Sequence, residues 1–122
     1  MHIVSTDTVT AYTWGAGCKA WALADTEVLS VKEESMPPGT AERDHRHQRA
    51  RQFFYILRGE ATLEAGEAAH SLHAGEGIEI APGIPHRICN TSTEELGFLV
   101  ISAPSTAGDR IEMESRDPQM KQ

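Results

Sequence analysis

Between Gln52 and Pro85 the chain never runs more than eight residues without a glycine or a proline. The pieces left between these breaks are QFFYILR (52–58), EATLEA (60–65), AAHSLH (68–73) and IEIA (78–81). They have the length of strands and are too short for stable helices. The same rhythm continues on both sides. KAWALA (19–24) and TEVLSVKEESM (26–36) precede the stop Pro37-Pro38-Gly39, and HRICNT (86–91) and LGFLVIS (96–102) follow the turn Pro82-Gly83-Ile84-Pro85. The remaining helix candidate, residues 42–52, carries no apolar stripe at helical spacing. The pattern predicts an all-β sandwich or barrel in a single domain, 122 residues being ample for one core.

Composition narrows the setting. A net charge of −7 argues against nucleic acid or an anionic membrane surface as the main partner, because both reward a basic face. Two cysteines, Cys18 and Cys89, with no paired spacing suit a reducing compartment and read as small buried hydrophobes. The opening MHIVSTDTVT has neither a basic start nor a long apolar run, so the expected location is the cytoplasm. Five of the eleven basic residues, Arg43, Arg46, Arg49, Arg51 and Arg58, crowd into residues 43–58. They read either as solvated decoration or as an anion-attracting rim.

One strand is apolar on both faces. Side chains alternate along a strand, which puts Phe54 and Ile56 on one face and Phe53, Tyr55 and Leu57 on the other. Both faces are therefore expected to be covered, one by the barrel interior. The other would meet a second subunit, making a homodimer, or another sheet of the same chain. Trp14 and Trp21 read as packing residues.

Two histidines stand one residue apart in DHRH, at the mouth of this strand, and so share a strand face. A third, His86, follows the stiff PGIP turn, where two prolines fix the direction of the backbone. Ile88 and Asn90 share its face, so the imidazole points the same way as a core residue. A buried histidine needs a partner. Antiparallel pairing would bring His86 opposite His45 and His47, giving three neutral imidazoles suited to a first-row transition metal.

The spacing goes beyond an HxH pair. Gly39, five residues, His45, one residue, His47, four residues, Gln52, six residues, Gly59 resembles the first motif of the cupin superfamily. Gly75, five residues, Ala81-Pro82-Gly83, two residues, His86, three residues, Asn90 resembles its second motif, with residues 60–74 between the two. The resemblance implies a small single-domain cupin: a double-stranded β-helix, or jelly-roll barrel, over about residues 19–103. Residues 1–18 would be an N-terminal arm and 104–122 a polar tail strapping the barrel or a partner subunit. It makes His45, His47, Gln52 and His86 the metal ligands, and Asn90 a structural turn residue. Ala81 replaces the motif's usual proline. The cofactor implied is one divalent transition metal, with iron, nickel, zinc and manganese all suited to the donors.

Gln52 is the informative departure, since that motif position normally holds glutamate. An amide oxygen still donates to a metal but brings no negative charge, so the divalent charge stays uncompensated. Such a site holds metal less tightly and favours an anionic ligand. In this respect the chain resembles the uronate-processing cupins of pectin and alginate breakdown. The expected function is metal-dependent chemistry on a small anionic, carbonyl-bearing molecule such as a sugar acid, of isomerase, lyase or dioxygenase type. A non-catalytic module binding metal and a small ligand is the alternative, and a metal-free structural barrel a third reading. Acid–base candidates are Glu33, Glu79 and Tyr55, with Tyr55 better suited to an interface. Substrate-binding candidates are Arg49 and Arg51, while Arg87 follows a ligand directly and should point away.

Overall fold

The computed structural model describes residues 1–114. The eight residues 115–122, the end of the predicted tail, lie outside the described part. Eleven strands follow one another: β1 (Tyr12–Trp14), β2 (Cys18–Asp25), β3 (Ser30–Met36), β4 (His45–His47), β5 (Arg51–Arg58), β6 (Glu60–Ala65), β7 (Ala68–His73), β8 (Gly77–Ile80), β9 (His86–Cys89), β10 (Leu96–Ala103) and β11 (Arg110–Glu112). They form two antiparallel sheets, ordered β1-β2-β3-β10-β5-β8 and β11-β4-β9-β6-β7. No helix occurs among the described residues, and hence none long and apolar enough to cross a membrane.

The strand runs read from the sequence fall within a residue or two of β2 and β5–β10. The run 26–36 is shorter than expected. Thr26 accepts the Leu29 N–H through its hydroxyl and donates that hydroxyl to the Leu29 carbonyl, closing a turn that delays β3 to Ser30. The tail departs more. Residues 110–112 do not strap the outside; they pair with β4, Arg110 opposite His47 and Glu112 opposite His45.

Parity decides what enters the barrel. On β5, Gln52, Phe54 and Ile56 are buried, and on β10 so are Leu96, Phe98, Val100 and Ser102. Met36, Ala61, Leu63 and Ile88 join the same apolar cluster. Six of the buried polar side chains, His45, His47, Gln52, His86, Ser30 and Ser102, gather toward one end. Phe54 lies at the junction, its ring centroid 5.9 Å from that of His86. Glycine is obligatory at the β5–β6 turn. Gly59 has φ +80°, and an added Cβ would sit 2.5 Å from the Glu95 carbonyl oxygen.

The other face of β5 stays partly open among the described residues. Phe53, Tyr55 and Leu57 are 39%, 37% and 38% exposed, and neither of the two sheets packs face to face on them.

Candidate metal centre

The site is assembled by three backbone devices. The Asp109 carboxylate accepts the N–H groups of Gln48, Arg49 and Ala50, at 2.9–3.2 Å, and fixes the turn that leads from His47 into β5. The Gly83 N–H donates to the His47 carbonyl at 2.7 Å, tying the PGIP turn to β4. Register does the rest, since His45 pairs directly with His86 across β4 and β9.

Three imidazoles converge as a result. Ring centroids are 4.5 Å apart for His45–His86, 5.0 Å for His45–His47 and 5.8 Å for His47–His86. One nitrogen from each lies within 4.8 Å of the others, and all three residues are buried. The backbone selects which nitrogen faces inward. His45 Nδ1–H donates to the Arg43 carbonyl and His86 Nδ1–H to the Ile84 carbonyl, each at 2.8 Å. That leaves both Nε2 atoms with bare lone pairs.

Gln52 completes the set. Its Nε2 donates to Ser102 Oγ at 3.1 Å, which turns Oε1 toward His86 Nε2, 2.8 Å away. That distance is within hydrogen-bonding range, and with the His86 proton at Nδ1 the two atoms stand side by side where they could share one cation. The buried Nδ1 of His47 has no hydrogen-bond partner among the described residues, a second polar atom left for an external partner. The donors fit a divalent transition metal: imidazole nitrogens plus one neutral oxygen, with no carboxylate.

Electrostatics keep the imidazoles ready to ligate. Burial lowers the His45 pKa to about 3, helped by His86, Arg110 and His47 and opposed by the Arg43 carbonyl. Burial lowers His47 to about 4, helped by His86 and Arg110 and opposed by Asp109. Both are neutral at pH 7, the state in which histidine binds metal.

His45, His47 and Gln52 line a cavity of about 200 Å³ together with Lys32, Glu34, Glu42 and Arg110. The same four residues border an outer vestibule of about 450 Å³, walled by Tyr12, Trp14 and Arg43. Sequence reasoning missed all four. Lys32 and Glu34 lie on β3 with the parity of Ser30, and Arg110 depends on the pairing of a three-residue strand. The parity of charged residues on β3 was the available signal.

The acid–base and substrate candidates named from sequence are not brought to the cluster. Glu79 pairs in register with outward-facing Phe53, and its carboxylate holds Arg51 at 2.6 Å. Glu33 has the opposite parity to Lys32 and Glu34 and meets Arg58 at 3.8 Å. Tyr55 is on the exposed face. Arg49 bridges to Asp109 at 3.9 Å with its side chain 61% exposed. The crowded arginines at 49, 51 and 58 are thus ion-paired at the surface. Arg87 pairs with Glu64, and Asn90 donates its amide to the Met36 and Glu94 carbonyls, a structural role.

Fold and site together define a small jelly-roll barrel with a buried three-histidine cluster inside. The chain belongs to the cupin domain family, whose match spans residues 32–102. It is 27% identical over 84 residues to the uncharacterized protein MJ1618 of Methanocaldococcus jannaschii, covering 69% of this chain and 67% of that one. Among solved structures it is similar to KdgF from a Halomonas species, at 17% identity and TM-score 0.76, covering 83% of this chain and 93% of that one. A cupin-superfamily sugar phosphate isomerase from Silicibacter pomeroyi aligns at 15% identity and TM-score 0.78, covering 96% and 94%. At these identities the structural likenesses establish the fold.

Proposed function

We propose that this cupin is a metal-dependent enzyme acting on a small anionic, carbonyl-bearing molecule, with a sugar acid as the representative class. His45, His47, Gln52 and His86 would hold one divalent transition metal. The observation that carries the reading is the ligand cavity itself: a carboxylate-free donor set in a cavity that two cationic side chains, Lys32 and Arg110, share with Glu34 and Glu42, Arg110 being steadied by Glu112 at 2.8 Å. A divalent ion held there supplies Lewis-acid polarisation of a carbonyl. Everything else falls to the chain. Lys32 and Arg110 attract and orient the anion, Phe54 and Val100 exclude water, and Gln52 leaves the site's positive charge for the ligand to neutralise.

The test is binding. Pyruvate, as a minimal keto-acid probe, should bind the zinc-loaded protein, and Arg110→Gln and Lys32→Gln should each weaken it about tenfold or more while zinc content stays unchanged. Calorimetry reads both quantities. Unchanged pyruvate affinity in both variants would remove these two residues from the ligand site.

The exposed Phe53, Tyr55 and Leu57 support a homodimer through the outer face of the six-stranded sheet. Tyr55→Glu should convert a two-chain species to one in sedimentation equilibrium, because it buries a charge in an apolar interface. A wild-type protein that sediments as one chain contradicts the dimer. The cytoplasm is the setting assumed for this activity.

A further inference from the structure

Two carboxyl-bearing side chains line the same cavity of the barrel. Glu34 projects from β3, and Glu42 precedes β4; both line the histidine cavity and the vestibule above it. Their surroundings differ. Glu42 is held: its Oε1 accepts the Ile88 N–H at 3.1 Å, and its Oε2 lies 4.0 Å from Arg110 Nη1. Glu34 has Lys32 two residues away on the same face of β3 and borders the vestibule with Trp14, whose buried indole N–H makes no hydrogen bond among the described residues. A like-charged pair in a shared enclosure cannot easily ionise twice, and the better-held partner ionises first.

We propose that Glu34 and Glu42 are a proton-transfer pair serving the ligand bound over the histidine cluster, and that the reaction is proton exchange at carbon next to a carbonyl. The inference rests on the reading of the site as a metal centre that binds an anionic carbonyl compound. Ionised Glu42 takes the proton; the C–H bond breaks and its electron pair passes into the enolate. Neutral Glu34 returns a proton from its O–H to the same carbon, which exchanges that hydrogen with solvent. In an α-hydroxy carbonyl compound the proton can go instead to the neighbouring carbon while the hydroxyl proton passes to the enolate oxygen, which is isomerisation; in either case solvent then takes the proton from Glu42 and restores the one on Glu34. No oxidant or reductant is consumed.

The electrostatics agree with the division of roles. Burial first, then the Glu42 carboxylate, push Glu34 up to about 8, with Lys32, Trp14 and Arg110 working against them. Burial, with Glu112 adding to it, pushes Glu42 up to about 7 against the Ile88 N–H, Arg110 and Lys32. The Cys18 thiol is also raised, chiefly by burial, with both glutamates contributing. Tyr12 and Arg43 border the vestibule, and His45 and His47 face the cavity as neutral rings. Near neutral pH one proton is available and one basic site is open, which is what acid–base work requires.

The experiment follows deuterium uptake into the methyl group of pyruvate in D2O, by proton NMR, with zinc-loaded protein. Wild type should exchange faster than zinc alone. Glu34→Gln and Glu42→Gln should each slow exchange by ~10²-fold or more with zinc content unchanged, and Glu42→Asp should recover part of the rate. A second readout uses metal-free protein carrying ¹³C-labelled glutamate. Two carboxyls should titrate near 8 and 7, and Glu42→Gln should lower the higher one. No exchange by zinc-loaded wild type, or no carboxyl titrating above the ordinary glutamate range, overturns the pair and leaves the metal centre standing. A wild type that fails to hold zinc overturns the metal reading and this proposal with it.

Discussion

A Gln52→Glu variant should hold its metal about a hundredfold more tightly than the wild type and bind pyruvate correspondingly worse. Gln52 is 7% exposed, and its amide oxygen already faces His86. Adding a negative charge about 4 Å from a divalent ion contributes on the order of 8 kcal/mol at an effective dielectric near 20. Desolvating the new carboxylate takes back most of that, leaving on the order of 2–3 kcal/mol. The Ser102 hydroxyl now accepts from the amide and can rotate to donate to a carboxylate instead, so the change needs no repacking. The same charge repels a bound carboxylate. Zinc affinity by competition calorimetry, followed by pyruvate titration of the loaded proteins, reads both effects. Equal zinc affinity in the two proteins would mean that position 52 does not reach the ion.

The metal-free protein should be most stable at about pH 4.5–6.5 and lose stability on either side. The signs follow from four groups. His45 and His47 have folded pKa values of about 3 and 4, below the ordinary 6.5. Their contribution is therefore complete above pH 6.5 and is lost as pH falls toward 3. Glu34 and Glu42 have folded values of about 8 and 7, above the ordinary 4.5. Their contribution is complete below pH 4.5 and is lost as pH rises through 7 and 8. Between 4.5 and 6.5 the two slopes oppose each other. Outside that window each uncompensated proton changes stability by about 1.4 kcal/mol per pH unit. Thermal melts from pH 3 to 9 map the curve, and Glu34→Gln should flatten its alkaline side. A melting temperature still rising from pH 6.5 to 8 would contradict the assignment of the glutamates.

The barrel and its histidines were legible because their signals are local. His45 and His47 share a face by spacing alone, and the PGIP turn delivers His86. The glycines at 59, 66 and 75 mark turns that glycine's left-handed backbone makes, each with positive φ. What the sequence withheld depends on pairing. Glu79 alternates with Ile78 and Ile80 on paper, and only its register against Phe53 shows that it faces out. Arg110 sits in a stretch with no apolar pattern, and its place in the cavity comes from a three-residue pairing with β4. Glu34 and Lys32 lie on a half-polar strand whose inward face the spacing alone does not fix. They line the interior because this end of the barrel encloses a polar cavity rather than a packed core. Barrel interiors that serve a ligand break the rule that polar residues face outward, and such breaks mark function.

The central claim is that His45, His47, Gln52 and His86 hold a metal, and elemental analysis tests it most directly. Protein purified without added metal should carry close to one equivalent of a transition metal per chain, and His47→Ala purified in parallel should carry almost none. Metal absent from both proteins, with added zinc, nickel, manganese or iron failing to raise the wild-type melting temperature, would contradict it.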